Sequence, residues 1–278
     1  MPNLRRPTTA LLASALAALG LAAGPLPSAA ASVASRPRPA ALCGQRSLLP
    51  AYYYPGPTWQ ATLAAARPGS ATVVNPDSGP GASYDPNYAR VVAAARAKGA
   101  VLWGYVDTRY AAVPAASVAA QVADYRRWYG ITNVFFDDVS SQASQVGYYR
   151  QATLIARTGA PAASVILNPG DYPAPVYATL GDVLVVFEGN LSQYMKADPP
   201  AWTRRQPAGM FASLISAVPT GRLGSVLSLA RARRSGWVYV SPHVDKATLY
   251  EQLPRYWNAE LRLLASAPAI GPKAACAV

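Results

Sequence analysis

Acid is scarce in this chain. Of 278 residues, 13 are Asp or Glu against 25 Lys and Arg, and the only glutamates are Glu188, Glu251 and Glu260. Histidine occurs once, at His243, and cysteine twice, at Cys43 and Cys276. That is too thin a ligand set for zinc, and no H-x-x-x-H pattern is present. A metal-dependent hydrolase, such as a deacetylase, is therefore disfavoured, and no metal and no cofactor is expected. No G-x-G-x-x-G follows the first strand-like run, which weighs against dinucleotide binding. The formal net charge is +12, but the arginines are scattered over helical runs such as "YRRWY" 125–129 and "RARR" 231–234 and are not interleaved with aromatics. They read as solvated helix faces, so no nucleic-acid partner is expected. Long apolar runs are missing too. The longest, "ALLASALAALGLAAG" 10–24, falls short of the ~20 residues that span a bilayer. With Arg5 and Arg6 before it and small residues at 28–35 after it, it reads as a signal peptide. The alternative is an uncleaved anchor. The expectation is a leader and lead-in over 1–34, a folded domain over 43–265 and a tail over 266–278. The mature protein is expected to be secreted, free of the membrane after cleavage, and monomeric.

What is present is an alternation. Eight β-like runs can be marked: 47–54, 70–75, 100–107, 131–137, 163–168, 181–188, 211–216 and 236–241. They are rich in Val, Ile, Leu and Tyr and alternate little, as parallel strands covered on both faces do. Most precede a segment with apolar spacing of three and four, the last being "ATLYEQLPRYWNAELRLL" 247–264. Segment 191–204 is poorly patterned. Gly99, Gly130 and Gly236 fall at helix-to-strand junctions. Eight such units in ~230 residues predict an α/β fold of one domain, a single (β/α)8 TIM-like barrel, with a doubly wound open sheet as the alternative. In the closed barrel the first and last strands are neighbours. A disulfide between Cys43 and Cys276 is therefore expected, export permitting oxidation.

Sites in such barrels lie at the C-terminal ends of the strands. The runs end in Tyr52 to Tyr54, Asn75, Asp107, Asp137 with Asp138, Asn168, Glu188, Ser216 and Ser241, nearly all able to bond a hydroxyl or move a proton. In "VFFDDVSS" 134–141 two carboxylates stand side by side. Successive strand residues point to opposite sides, so Asp137 and Asp138 can share a direction only if the strand has ended. "DDVSS" is also good turn chemistry. Glu188 closes the apolar run "DVLVVFE", and a turn does not select Glu there. A carboxylate paired with an arginine such as Arg109 is the bland alternative. Asp137, Asp138 and Glu188 are the candidate catalytic groups, since two carboxylates at one mouth can supply a general acid and a nucleophile or base. The apolar run before Glu188 marks it as the acid/base and leaves Asp137 as the nucleophile or charge stabiliser, with Asp138 as a support residue or alternate partner. Tyrosine outnumbers phenylalanine 17 to 4, and there are six tryptophans. Rings with polar tips suit a saccharide. The candidate substrate-binding residues are therefore Tyr52, Tyr54, Trp59, Asn75, Tyr105, Asp107 and Asn168, with Trp59 and the tyrosine cluster on the cleft rim. His243, just past the eighth run, is a weaker candidate.

The stretches "LLPAYYYPGPTW", "VVNPDSGPGASYDPNY", "GYVDTRYAAVP", "NVFFDDVSS", "VILNPG", "VVFEGN" and "WVYVS" run in order from about 48 to 257. Together the chain resembles the spherulation-specific family 4, the spherulin-4-like proteins. The resemblance implies a (β/α)8 glycoside hydrolase acting on galactosamine-containing exopolysaccharides, endo-acting, with its acidic pair at Asp137 and Asp138 and its glutamate at Glu188. Two positions depart from the family pattern: Asp138 stands where Glu is common, and Asp107 where His is common. The expected partner is a polysaccharide substrate. A non-catalytic carbohydrate-binding or spore-surface protein on the same barrel is the rival from another class.

Overall fold

The computed structural model describes residues 44–245 and 248–268. The leader and both cysteines lie outside the described residues. Eight strands close into a parallel barrel in chain order: β1 (Arg46–Ala51), β2 (Ala71–Val74), β3 (Val101–Asp107), β4 (Asn133–Asp137), β5 (Val165–Leu167), β6 (Val183–Asn190), β7 (Phe211–Ser216) and β8 (Trp237–Val240). Closure comes from Arg46 and Ser47 registering with Trp237 and Val238. The helices are α1 (Pro57–Ala65), α2 (Pro86–Ala97), α3 (Ala115–Tyr129), α4 (Val146–Arg157), α5 (Leu191–Lys196), α6 (Leu223–Ala232) and α7 (Trp257–Ala265). The barrel is the expected (β/α)8 fold.

Local chemistry explains several boundaries. Pro86 opens α2 behind the N-cap Asp85, whose carboxylate accepts the Asn87 amide at 2.7 Å. Gly130 ends α3 at φ 64°. Asn190 and Gln193 cap α5 reciprocally. After β5 comes a proline-bearing loop and a single 3-10 turn, Pro175–Thr179. One expected helix is shortened. The run expected as a helix over 247–264 becomes helical only from Trp257. Pro254 accounts for this, because proline is poorly tolerated inside a helix and suits its first turn. Residues 248–256 form no helix, and Tyr250 among them reaches Glu188 at the barrel mouth.

The inward face follows from ring contacts. Trp103 on β3 meets Trp237 on β8 at 6.1 Å across the interior, and Tyr105 stacks on Phe135 at 6.2 Å. Alternation then turns Asp107 and Asp137, which are in register, toward the mouth. On β6 the same logic runs through Phe135↔Ile166 and Ile166↔Val183, so Val183 and Val185 face inward. A bulge then shifts the register: Val185 opposes Ala212 and Phe187 opposes Ser213. The extra residue reverses the alternation. Phe187 packs outward on Tyr194 of α5 at 4.6 Å, and Glu188 turns inward.

Candidate active site

At the C-terminal end of the barrel, Asp137, Asp138, Asn168, Pro169, Gly170, Asp171, Glu188 and Tyr110 line an open cavity of about 430 Å³. Four carboxyl groups on one wall are conspicuous in a chain with thirteen.

The pair Asp137–Asp138 shares this cavity because β4 ends at Asp137 and Asp138 adopts a left-handed φ of 47°. Buried Thr108 holds the turn, its hydroxyl donating to the Asp137 carbonyl at 2.7 Å. The Tyr149 hydroxyl accepts the Ser140 amide at 2.8 Å on the other side.

Asn168 is the keystone. Its backbone is locked between strands: its N–H donates to the Phe136 carbonyl, and its own carbonyl accepts from Val139. Its Oδ1 accepts the Gly170 amide at 3.0 Å, which turns Nδ2 the other way. Nδ2 then donates to Asp137 Oδ1 and to Glu188 Oε2, both at 2.6 Å. The two bridged oxygens can therefore lie no further apart than twice 2.6 Å. The second Glu188 oxygen accepts the Tyr250 hydroxyl at 2.7 Å. The Tyr105 hydroxyl hydrogen-bonds Asp137. Burial, and then the neighbouring Glu188 carboxylate, push the Asp137 carboxyl up to about 7 despite the hydrogen bonds from Tyr105 and Asn168. Burial and the nearby Asp137 charge push the Tyr52 phenol well up. Tyr52 packs edge-on between Tyr105 and Tyr250 at 5.3 and 5.2 Å, the two tyrosines that bond Asp137 and Glu188.

The structure thus brings together Asp137, Asp138, Glu188, Asn168, Tyr105 and Tyr52. It separates others. Trp59 is not on the rim: it is fully buried on α1, and its indole N–H donates to the Tyr53 carbonyl. Helical periodicity turns it into the core. Asn75 closes a turn, its Oδ1 accepting the Gly79 amide. Asp107 accepts the Arg109 amide at 2.8 Å and pairs with its guanidinium at 3.4 Å, so Arg109 serves Asp107 rather than Glu188. Tyr54 reaches away to Asp85, donating to its Oδ2 at 2.9 Å. His243 keeps local contacts with Ser241 and Leu249.

Three contributors escaped the sequence reading. Tyr250 sat inside an expected helix, and Pro254 was the signal against that. Asp171, in "NPGDY", was visible as a scarce acid beside a strand end. Tyr110 gave no signal. It sits in a run of three non-glycine residues with positive φ, Arg109 to Ala111, its amide bonded to the Asp138 carbonyl at 2.6 Å and its hydroxyl to the Asp138 carboxylate.

Known proteins share this frame. Spherulin-4 of Physarum polycephalum is 28% identical over 225 residues, covering 77% of this chain and 68% of its own length. The crystal structure of Aspergillus clavatus Sph3 in complex with GalNAc superposes with a TM-score of 0.72 at 24% identity, over 80% of this chain and 98% of that one. The profile of the spherulation-specific family 4 matches residues 46–264, from the first residue of β1 into α7, and the chain belongs to that family.

Proposed function

We propose that the protein is a secreted glycoside hydrolase that cleaves an amino-sugar polysaccharide of the galactosamine type, endo-acting and with retention of anomeric configuration. The observation that carries this reading is the pair of carboxylates joined by one amide. Retaining glycosidases hold their carboxyl groups ~5–5.5 Å apart, and inverting ones ~6.5–9.5 Å to admit a water. Bridging of Asp137 and Glu188 by Asn168 Nδ2 supports the shorter class. The family tie and the GalNAc held by Sph3 support the sugar. Four carboxyls around the cavity suit a ligand of hydroxyls and amines and oppose an anionic one. Export rests on the leader pattern at 1–34. Among the described residues, no helix is long and apolar enough to cross a membrane.

We assign the roles the other way round from the sequence expectation. Burial, with the Glu188 carboxylate beside it, raises the Asp137 carboxyl, which suits Asp137 to give a proton to the leaving oxygen and later to act as the base toward water. Glu188, with one oxygen on the Asn168 amide and the other on the Tyr250 phenol, is held as an acceptor and serves as the nucleophile. It bonds the anomeric carbon as the glycosidic bond breaks, and water releases it in the second step. Asp138, bonded to Tyr110, orients the sugar.

The test is incubation with a panel of polymers, including N-acetylgalactosamine and partly de-N-acetylated ones, followed by reducing-end assay and proton NMR of the first product. Release of oligosaccharides with retained configuration is expected. Asp137→Asn and Glu188→Gln should each lower the rate ~10²–10⁴-fold while still binding polymer. Binding without any release by the unsubstituted protein would favour the non-catalytic carbohydrate-binding reading.

A further inference from the structure

A second cavity, also about 430 Å³, opens beside the β2–α2 loop and is lined by residues that the carboxylate site does not use. Its walls include Tyr54, Tyr84, Tyr88 and Tyr129, with Asp77 and Asp85 among its polar groups. Tyr84 and Tyr54 are 52% and 59% exposed, unusual for rings in a chain that buries most of its aromatics.

The wall is built in advance of any ligand. Buried Tyr129 at the end of α3 staples the loop from below: its hydroxyl donates to the Pro80 carbonyl at 3.2 Å and accepts the Asp85 amide at 3.3 Å. The Tyr84 ring lies nearly parallel to that of Tyr129, 23° apart in plane at 6.3 Å. Tyr54 stands edge-on to Tyr88 at 5.5 Å, and its hydroxyl is fixed by Asp85 and Asn87. Gly81 at φ 90° and Ser78 at φ 45° let the loop curl. Rigid rings beside oriented carboxylate and amide groups match the alternating apolar faces and hydroxyl edges of a pyranose.

The tyrosine triplet connects this cavity to the active site. Tyr52 packs on Tyr105 and Tyr250 of the carboxylate site, Tyr53 is buried against Thr62 and Trp59, and Tyr54 walls the second cavity. Tyr52 and Tyr54 are two residues apart, so their Cα atoms lie within about 7 Å of each other, and one polymer can cross both places.

We infer that the Tyr54–Tyr84 cavity is a second glycosyl-binding site, which holds a unit of the same polysaccharide remote from the bond at Asp137 and Glu188. This rests on the proposed function only in taking the polymer to be a saccharide. The test uses the full chain carrying Glu188→Gln and calorimetric titration with N-acetylgalactosamine oligomers of two and eight units. The octamer should bind about tenfold or more tighter than the dimer, because one chain engages two linked sites. Adding Tyr84→Ala, which removes an exposed ring, or Ala82→Trp, which fills the cavity from an exposed position, should bring octamer affinity down to that of the dimer. An octamer that binds no better than the dimer, or equally well in all three proteins, overturns the second site. An octamer advantage lost in both variants upholds it even if the unsubstituted protein releases no reducing ends. Hydrolysis without a length advantage would keep the proposed function and sink the second site.

Discussion

At the scale of single residues, the decisive feature is the burial of Asp137 beside a second carboxylate that shares its amide. Asp137 ends an inward strand position among Tyr105, Asn168 and Phe135, where desolvation favours its neutral form. With its pKa raised to about 7, it is protonated below that pH and loses the proton as pH rises through it. Hydrolysis that needs a proton on the leaving oxygen should therefore fall on the alkaline side of about pH 7. The same shift has a stability consequence. A folded-state pKa above the ordinary aspartate value, ~3.9, means that stability is fully present below that value and is lost as pH rises through about 7. Asp137→Asn should unfold at a higher temperature than the parent at pH 8, and the difference should shrink toward pH 4. Thermal unfolding at the two pH values checks this, and an equal difference at both would refute the assignment.

At the scale of elements, the loops after the strands differ from the strands in how much strain they hold. Arg109, Tyr110 and Ala111 have φ of 44°, 55° and 74°, and a non-glycine residue held there costs about 1–3 kcal/mol. Asp107 and Asp138 pin the loop from both sides. Tyr110 is 62% exposed, so little packing is lost when its ring is removed. Tyr110→Gly should therefore stabilise the fold by about 1 kcal/mol, raising the melting temperature by ~2–4 °C for a domain of this size, while weakening oligosaccharide binding. Differential scanning calorimetry and a binding titration read both. A less stable Tyr110→Gly protein would show that the loop is not strained. The eight-strand order was legible in the sequence, because buried parallel strands separated by helical spacing are local patterns. The loop conformations were not. Nothing local about "TRYAA" favours a left-handed run, which persists only because contacts distant in sequence over-determine it.

At the scale of the whole molecule, barrel closure joins β1 to β8, and Ser47 of β1 shares a small cavity with Trp257 and Leu261 of α7. The described chain therefore starts and finishes on the same side of the barrel wall. Cys43 precedes β1 directly, and Cys276 follows α7. A disulfide between them would close a long loop and contribute ~2–4 kcal/mol. Titration of the protein kept non-reduced should find no free thiol; two would reject the bridge. The charge distribution is also a property of the whole. Seven of the thirteen acidic residues, Asp77, Asp85, Asp107, Asp137, Asp138, Asp171 and Glu188, follow strands at the barrel mouth or line the two cavities there, against a net charge of +12.

The sequence alone determined the architecture, the end of the barrel where chemistry belongs, and the three carboxylates to look for. Each of these depends on residue type and short-range period. Tertiary structure decided which way the groups point and what touches them. Strict alternation would have sent Glu188 to the helix layer with Val186, and one extra residue in the β6–β7 ladder turns it inward. The left-handed step at Asp138 let both members of the acidic pair face one cavity. Trp59, aromatic and near a strand end, was drawn into the core by the helix it lies on. Tyr250 reached Glu188 across 62 residues of chain. Register and long-range contact arise only when the barrel closes, and no local pattern encodes them.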